Sequence, residues 1–419
     1  MRGRLLPGAV LALTSLALCA PAAIAGPGDL THRQSRLGDA GMTGARGVVV
    51  APDGNHVYVA SPSAGAVAIY ARGGDGTLTP LGCVEDPGAP ASCSVSAEGL
   101  SAPQYVAISP DGKNVYAAGG GADSAVVALV RDPATGLLSP GGCWRDAQSS
   151  ADCSGNNAPA LGGAEGVTVS SDGKQVYVGA QSDSSVSTFN RNASTGELTY
   201  VSCIGDGSIA SGCPSSSPNQ KLLYPRELTS SPDGLGVYAA AANSGVAGFL
   251  RDPADGALSY AQTTSELAPS LVVGVAVSPD NGSVYTGTVN SSAIFAFTRS
   301  PATAQLTGIG CVNGTLAGVP VSCGAEATGL YGAEGVVVPP DGESLYASAF
   351  YGSALHSFAR SLTTGLLTPA GCVRDLMLVL SGCATSQDGL RGSRAVTISP
   401  DGRNVYATGQ TDNAIVVFE

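Results

Sequence analysis

One turn motif recurs seven times along the chain: Ala51-Pro52-Asp53-Gly54, Ser109-Pro110-Asp111-Gly112, Ser171-Asp172-Gly173, Ser231-Pro232-Asp233-Gly234, Ser278-Pro279-Asp280, Pro339-Pro340-Asp341-Gly342 and Ser399-Pro400-Asp401-Gly402. The aspartates lie 58, 61, 61, 47, 61 and 60 residues apart, and a tyrosine follows each by five positions, from Tyr58 through Tyr116, Tyr177, Tyr238, Tyr285 and Tyr346 to Tyr406. A register kept seven times at this period means stacked supersecondary units that bury a core only together.

Each unit reads as four antiparallel strands. An apolar run such as Gly47-Val48-Val49-Val50 meets the Asp-Gly turn and continues into a Val-Tyr strand. A third strand ends on Tyr70, Leu129, Phe189, Phe249, Phe297, Phe358 or Phe418, and a second turn leads into a fourth strand such as Leu138 to Cys143. Seven such units predict an all-β, seven-bladed β-propeller. The last unit has only three strands, and Gly28-Asp29-Leu30-Thr31 matches the entry to the missing one, so the N-terminal segment is expected to complete the last blade.

Arg2 and Arg4 precede an apolar run from Leu5 to Leu18, and Ala23-Ile24-Ala25 offers small residues for cleavage. This predicts a secretory signal over 1–25 and a single propeller domain over 26–419, secreted or otherwise extracytoplasmic, with no transmembrane anchor. The ten cysteines after the leader form five local pairs: Cys83 with Cys93, Cys143 with Cys153, Cys203 with Cys213, Cys311 with Cys323 and Cys372 with Cys383. An even count, local spacing and an export signal predict five disulfides. The fourth unit, after Asp233, lacks a pair and is the short one, so a shorter loop is expected there.

The formal charge of −12 argues against nucleic acid as a partner. His32, His56 and His356 are scattered without ligand spacing, so neither a metal centre nor a histidine-based triad is expected, and no segment reads as a cofactor site. Asp123, Asp183, Asn243, Asn290 and Asp412, after the Val-Tyr strands, are expected to bond the backbones of their own turns.

Chemistry belongs where the repeats differ. Seven residues before each turn aspartate, at the start of the innermost strand, stand Arg46, Gln104, Glu165, Arg226, Val273, Glu334 and Arg394. In a propeller these converge at the channel mouth. Arg46, Gln104, Arg226 and Arg394 are candidate ligands for a small anion, and Glu165 and Glu334 are candidate proton carriers. The same ring could equally be a network of internal ion pairs.

The unit Ser-Pro-Asp-Gly-x-x-Val-Tyr resembles that of the lactonase-like, YVTN-type propellers, which include bacterial phosphogluconolactonase and fungal carboxymuconate cyclase. The resemblance runs from about Gly26 to Glu419 and implies seven blades with a site at the channel mouth. Pro225-Arg226-Glu227 matches the Pro-Arg-His of lactone-acting members, which implies that Arg226 binds a carboxylate or lactone. Glu227 takes the histidine's place. Two readings follow: a secreted module binding a small anion, glycan or extracellular protein on its loop-bearing face, or a lactone hydrolase or cyclase acting on a small carboxylate-bearing substrate.

Overall fold

A computed structural model describes residues 30–419 apart from 91–92, 150–152, 208, 210–211, 214–220, 265–270, 316–322 and 379–381. The proposed leader over 1–25 lies outside the described residues. The fold is a ring of seven antiparallel sheets. Blade 1 runs from its inner strand Val48–Val50 through His56–Ser61 and Ala66–Arg72 to the outer strand Leu78–Glu85. The inner strands of blades 2 to 7 are Pro103–Ile108, Ala164–Val169, Pro225–Ser230, Val272–Val277, Ala333–Val337 and Ser393–Ile398.

The N-terminal strand His32–Leu37 is the outer strand of blade 7, antiparallel to Ala414–Phe418 with His32 opposite Phe418. Thr31 and Glu419 exchange both backbone hydrogen bonds beyond it. The ring is thereby closed by strands from opposite ends of the sequence, as expected.

All five cysteine pairs form disulfides, with Cα atoms 5.0 to 5.4 Å apart. Such bridges accord with an oxidising, extracytoplasmic setting. In four blades the returning loop adds a short fifth strand, parallel to the outer one: Val95–Ser96, Asn157–Ala158, Ala325–Glu326 and Thr385–Gln387. Four-stranded units therefore understate these blades. The clip holds the loop alongside an edge that would otherwise offer unpaired backbone groups. Blade 4 has no clip, and its outer strand ends at Thr263 with the next inner strand starting at Val272. No helix among the described residues is long and apolar enough to cross a membrane.

The cores lie between blades, where six of the repeated tyrosines and the third-strand aromatics are fully buried and Tyr346 is 9% exposed. Among the described residues an arginine-tyrosine-aspartate staple crosses six junctions, and Ser348 Oγ donates to Arg394 O across that of blades 6 and 7. Arg131, at the end of a blade 2 strand, donates from Nε to the Tyr58 hydroxyl at 2.7 Å and from Nη2 to the turn carboxylate of Asp53 at 2.6 Å, both in blade 1. Arg72, Arg191, Arg251, Arg299 and Arg360 do the same for Tyr406, Tyr116, Tyr177, Tyr238 and Tyr285. The repeated Asp and Tyr are thus inter-blade groups as well as turn and core residues.

The acids after the second strands also reach further than their own turns. Asp123 accepts from Ser101 N at 3.0 Å, Asp183 from Gly162 N at 2.6 Å and Asp412 from Arg391 N at 2.9 Å. In each case the preceding amide, on Leu100, Leu161 or Leu390, donates to an aspartate of the previous blade, Asp86, Asp146 or Asp375. Two carboxyl groups from adjacent blades therefore clamp consecutive amides, three residues before Gln104, Glu165 and Arg394.

Candidate functional site

What turns the ring residues into the channel is a one-residue bulge. In blade 3, Ala164 pairs with Ala180 and Gly166 with Gly179, so Glu165 has no partner in the ladder. Gln104 and Val273 are bypassed likewise, and the pairs Arg226-Glu227, Glu334-Gly335 and Arg394-Ala395 each face a single residue of the second strand. A bulge breaks the pleat locally and re-aims its side chain, which is how strands packed between neighbours present charged groups to the axis.

Six of the seven positions are joined by hydrogen bonds, in two separate networks. Arg46 is buried and crosses the mouth from blade 1: Nη1 donates to Gln104 Oε1 and Nη2 to Glu165 Oε1 at 2.5 Å. Arg226 donates to the same Glu165 oxygen at 3.3 Å. Gln181, just after the second strand of blade 3, bridges this pair, its amide donating to Glu165 Oε2 at 3.1 Å and accepting from Arg226 Nη2 at 3.2 Å. Across the mouth, Arg394 Nη1 donates to both oxygens of Glu334 at 2.6 and 2.9 Å, and its Nε donates to Gln410 Oε1 at 2.7 Å. Arg394 also sits over the Phe350 ring, 4.0 Å from its centroid. Buried Val273 contributes no charge and separates the networks at blade 5.

Arg46 and Arg394, neighbours across the ring closure, turn to opposite sides, each toward its own glutamate, and so need no counter-ion between them. Burial opposes the charge on Arg46, yet Tyr105, Glu165 and Glu334 hold its guanidinium more firmly protonated than usual. Burial lifts Glu334 above the usual carboxylate range, against the pull of Arg394, Arg46 and Arg226. Both ring glutamates are bound by guanidinium groups, the arrangement of counter-ions and anchors. Arg226 and Arg394 differ from Arg46 in exposure: their side chains remain 21% and 19% accessible, against 9%.

Sequence reasoning passed over the next layer down. Six residues before the turn aspartates stand Gly47, Tyr105, Gly166, Glu227, Gly274, Gly335 and Ala395. A Cβ on Gly166 would lie 2.0 Å from Arg226 O, and one on Gly274 2.1 Å from Glu334 O, so at these positions neighbouring inner strands touch backbone to backbone. Tyr105 and Glu227 are the two large side chains of this layer. Both line a channel cavity of about 240 Å³ beneath the ring. The departure from glycine or alanine in just two units is a signal present in the repeat alignment. Gln181 and Gln410 carry no such signal.

No metal-binding arrangement emerges around the histidines of the described residues. His356 lies near Cys372 and Cys383, whose sulfurs are joined in a disulfide, and burial holds its imidazole low, near 4.

The sequence profile described as "Lactonase, 7-bladed beta-propeller" matches residues 28–204 and 151–275. Among curated proteins none matches the chain in sequence. Of solved structures, a candidate 6-phosphogluconolactonase from Bacteroides uniformis aligns with 20% identity and a TM-score of 0.60, over 81% of this chain and 86% of that one. A periplasmic gluconolactonase from Pseudomonas aeruginosa aligns with 16% identity and a TM-score of 0.57, over 82% and 86%. The hydrazine synthase of Kuenenia stuttgartiensis aligns with 16% identity and a TM-score of 0.58, over 91% and 96%. At these identities the likeness is one of fold, which unrelated chemistries share.

Proposed function

This chain belongs to the lactonase family of seven-bladed β-propellers, and we propose that it holds a small carboxylate-bearing molecule at its channel mouth, with Arg226 and Arg394 as the anion's partners. The supporting observation is their double condition. Each guanidinium is fixed by a glutamate, so its direction is set before a ligand arrives, yet each keeps about a fifth of its side chain accessible. Three arginines against two glutamates leave the ring with one positive charge in a chain of net charge −12, so the field at the mouth favours an anion. Preorganised guanidinium pairs suit carboxylate geometry. Gln104 and Gln181 add neutral hydrogen-bonding groups that suit a hydroxylated ligand, and the disulfides fit a role outside the cytoplasm.

Gluconate is the first probe, because relatives of this fold are described as acting on gluconolactones. Calorimetric titration of wild type, Arg226→Gln and Arg394→Gln tests the reading. A loss of affinity of about tenfold in each variant is expected, the equivalent of about 1.4 kcal/mol. Equal affinity in all three proteins overturns it.

A second reading, lactone hydrolysis, is favoured by one observation: Glu227, which lines the channel cavity, has one carboxyl oxygen, Oε2, without a hydrogen-bond partner. The ring glutamates would serve in either reading as counter-ions that aim the arginines. A base role for Glu165 or Glu334 requires either to give up its guanidinium partners.

A further inference from the structure

Outside the charged ring the mouth has a rim, set by the position five residues after each repeated tyrosine. There stand Ser63, Ser182, Asn243, Asn290, Tyr351 and Thr411, all exposed, with a glycine in blade 2. Contacts with the backbone leading into the ring fix their place. A Cβ added to Gly44, Gly163, Gly332 or Gly392, each two residues before a ring side chain, would lie 2.6 Å from Ser63, Ser182, Tyr351 or Thr411. One residue inward along the same turns are Gln181, Phe350 and Gln410, the groups in contact with Arg226 and Arg394. Asp183 and Asp412, just after the rim, are turned to the amides of Gly162 and Arg391, which leaves the rim itself to uncharged groups.

Two tyrosines stand out there. Tyr351 is 66% exposed, and its ring meets that of Phe350 edge to face with centroids 5.2 Å apart, so an open aromatic surface lies one ring outward from Arg394. Arg394 itself has Nη1 on Glu334 and Nε on Gln410, while among the described residues no hydrogen bond falls on its Nη2. Tyr224 lies two residues before Arg226, where blades 1, 3, 6 and 7 have glycine and blade 2 alanine. Its φ is +57°, a conformation that glycine adopts freely and a bulky residue only under strain. The strain brings no burial in return, since the side chain is exposed. Strain of this kind persists where the side chain serves a site.

We propose that the mouth and its rim take an acidic glycan, an oligosaccharide of linked uronic acids, with carboxylates on Arg394 and Arg226 and sugar rings against Tyr351 and Tyr224. This rests on the carboxylate-site reading of the mouth and names the molecule that carries the carboxylate. A uronic acid presents on one rigid ring a carboxylate, several hydroxyls and a face of C–H groups. Guanidinium suits the first, and the serine, threonine and amide side chains of the rim suit the second. A tyrosine, apolar in its ring and polar at its tip, packs against the third. Each of the two accessible arginines has such a tyrosine at its outer side, so the pair is repeated as the sugar acid is repeated along a glycan. A rim of hydroxyls and amides favours sugars over a peptide terminus, whose side chains would find few apolar partners there.

Calorimetric titration with tetramers of galacturonic and of mannuronic acid, beside gluconate, neutral cellotetraose and pentaalanine, provides the test. At least one acidic tetramer should bind about tenfold or more tightly than gluconate, and cellotetraose about tenfold or more weakly than that tetramer. Tyr351→Ala should weaken the tetramer about tenfold and gluconate, which has no ring face, less than about twofold, while Tyr351→Phe keeps wild-type affinity. Tyr224→Gly should raise the melting temperature by releasing strain and yet weaken the tetramer about fivefold, a split that a merely structural residue would not show. The inference is overturned if neither acidic tetramer binds more tightly than gluconate, or if Tyr351→Ala and Tyr224→Gly leave tetramer affinity unchanged. Tighter binding of pentaalanine than of either tetramer overturns it in favour of a protein partner. None of these touches the reading of the mouth, which fails separately if gluconate ignores Arg226→Gln and Arg394→Gln.

Discussion

The Tyr58 hydroxyl accepts from Arg131 Nε at 2.7 Å while donating to Gly136 O at 2.9 Å, so one phenol in blade 1 ties two segments of blade 2. Both residues are buried, and Arg131 spends its other nitrogens on Gly112 O and Asp53. Replacing Tyr58 with Phe leaves a charged donor and a carbonyl without their partner. Tyr58→Phe should cost about 1–3 kcal/mol in urea unfolding. Arg131→Ala, which strips both the tyrosine and the aspartate, should cost about 3–5 kcal/mol. A Tyr58→Phe cost of a few tenths would mean that water replaces the phenol.

The inter-blade carboxyl pairs make a pH prediction. Burial first, and then Asp123, pushes Asp86 up to about 6, with Leu100 N–H opposing and Glu98 adding repulsion. The folded state therefore binds a proton that the unfolded chain releases near 4. Stability from this pair is full below that point and is lost as pH rises from about 4 to about 6. Asp183 and Asp412 are raised in the same direction, by burial and by Asp146 and Asp375. Three histidines held low by burial act oppositely, so the test is a difference. Asp123→Asn, whose amide can donate to Asp86, should be more stable than wild type at pH 7 and lose that advantage by pH 4. Parallel melting curves across the range would refute a shared proton.

Disulfide removal has an expected magnitude as well. Cys143 and Cys153 close a loop beside the outer strand of blade 2, where Asn157–Ala158 runs parallel to Arg145–Asp146. The paired Cys143→Ser, Cys153→Ser variant should lose about 2–4 kcal/mol. Hydrogen exchange should quicken chiefly at 154–158, and uniform quickening over the whole blade would show that the clip supports more than its loop.

Gly166 tests the contact between inner strands. An added Cβ meets the Arg226 carbonyl at 2.0 Å, and neither group is a flexible tip. Gly166→Ala should cost about 1–3 kcal/mol by overpacking. It should also weaken gluconate binding by moving Arg226 from Glu165. Gly74→Ala, with nothing within 4 Å, is the control.

Much of this was written in the repeat. The turn aspartates and tyrosines gave the blade number, the local cysteine pairs gave the disulfides, and the position seven before each aspartate gave the mouth residues. A seven-fold register exposes what is periodic and what departs from it. It does not say which blade a side chain reaches. Arg131 closes its strand as Arg191 and Arg251 close theirs, but that it grips the tyrosine of the preceding blade is a matter of tertiary packing. The bulges at Glu165 and Arg226 were invisible because an extra residue in a ladder has no composition of its own. Glu227 was visible as a departure from histidine, while its environment, walled by other blades, was not.

Pairing His32–Leu37 with Ala414–Phe418 has a consequence in time. During vectorial synthesis or export the first strand emerges early and has no partner until the last residues follow, so six blades are able to form while the seventh waits. Arg46 and Arg394 stand on either side of that closure, and Thr408 Oγ1 donates across it to Arg46 O at 2.8 Å. The mouth is thus the last part of the molecule to be assembled, and capture of an anion there reports that the circle has shut.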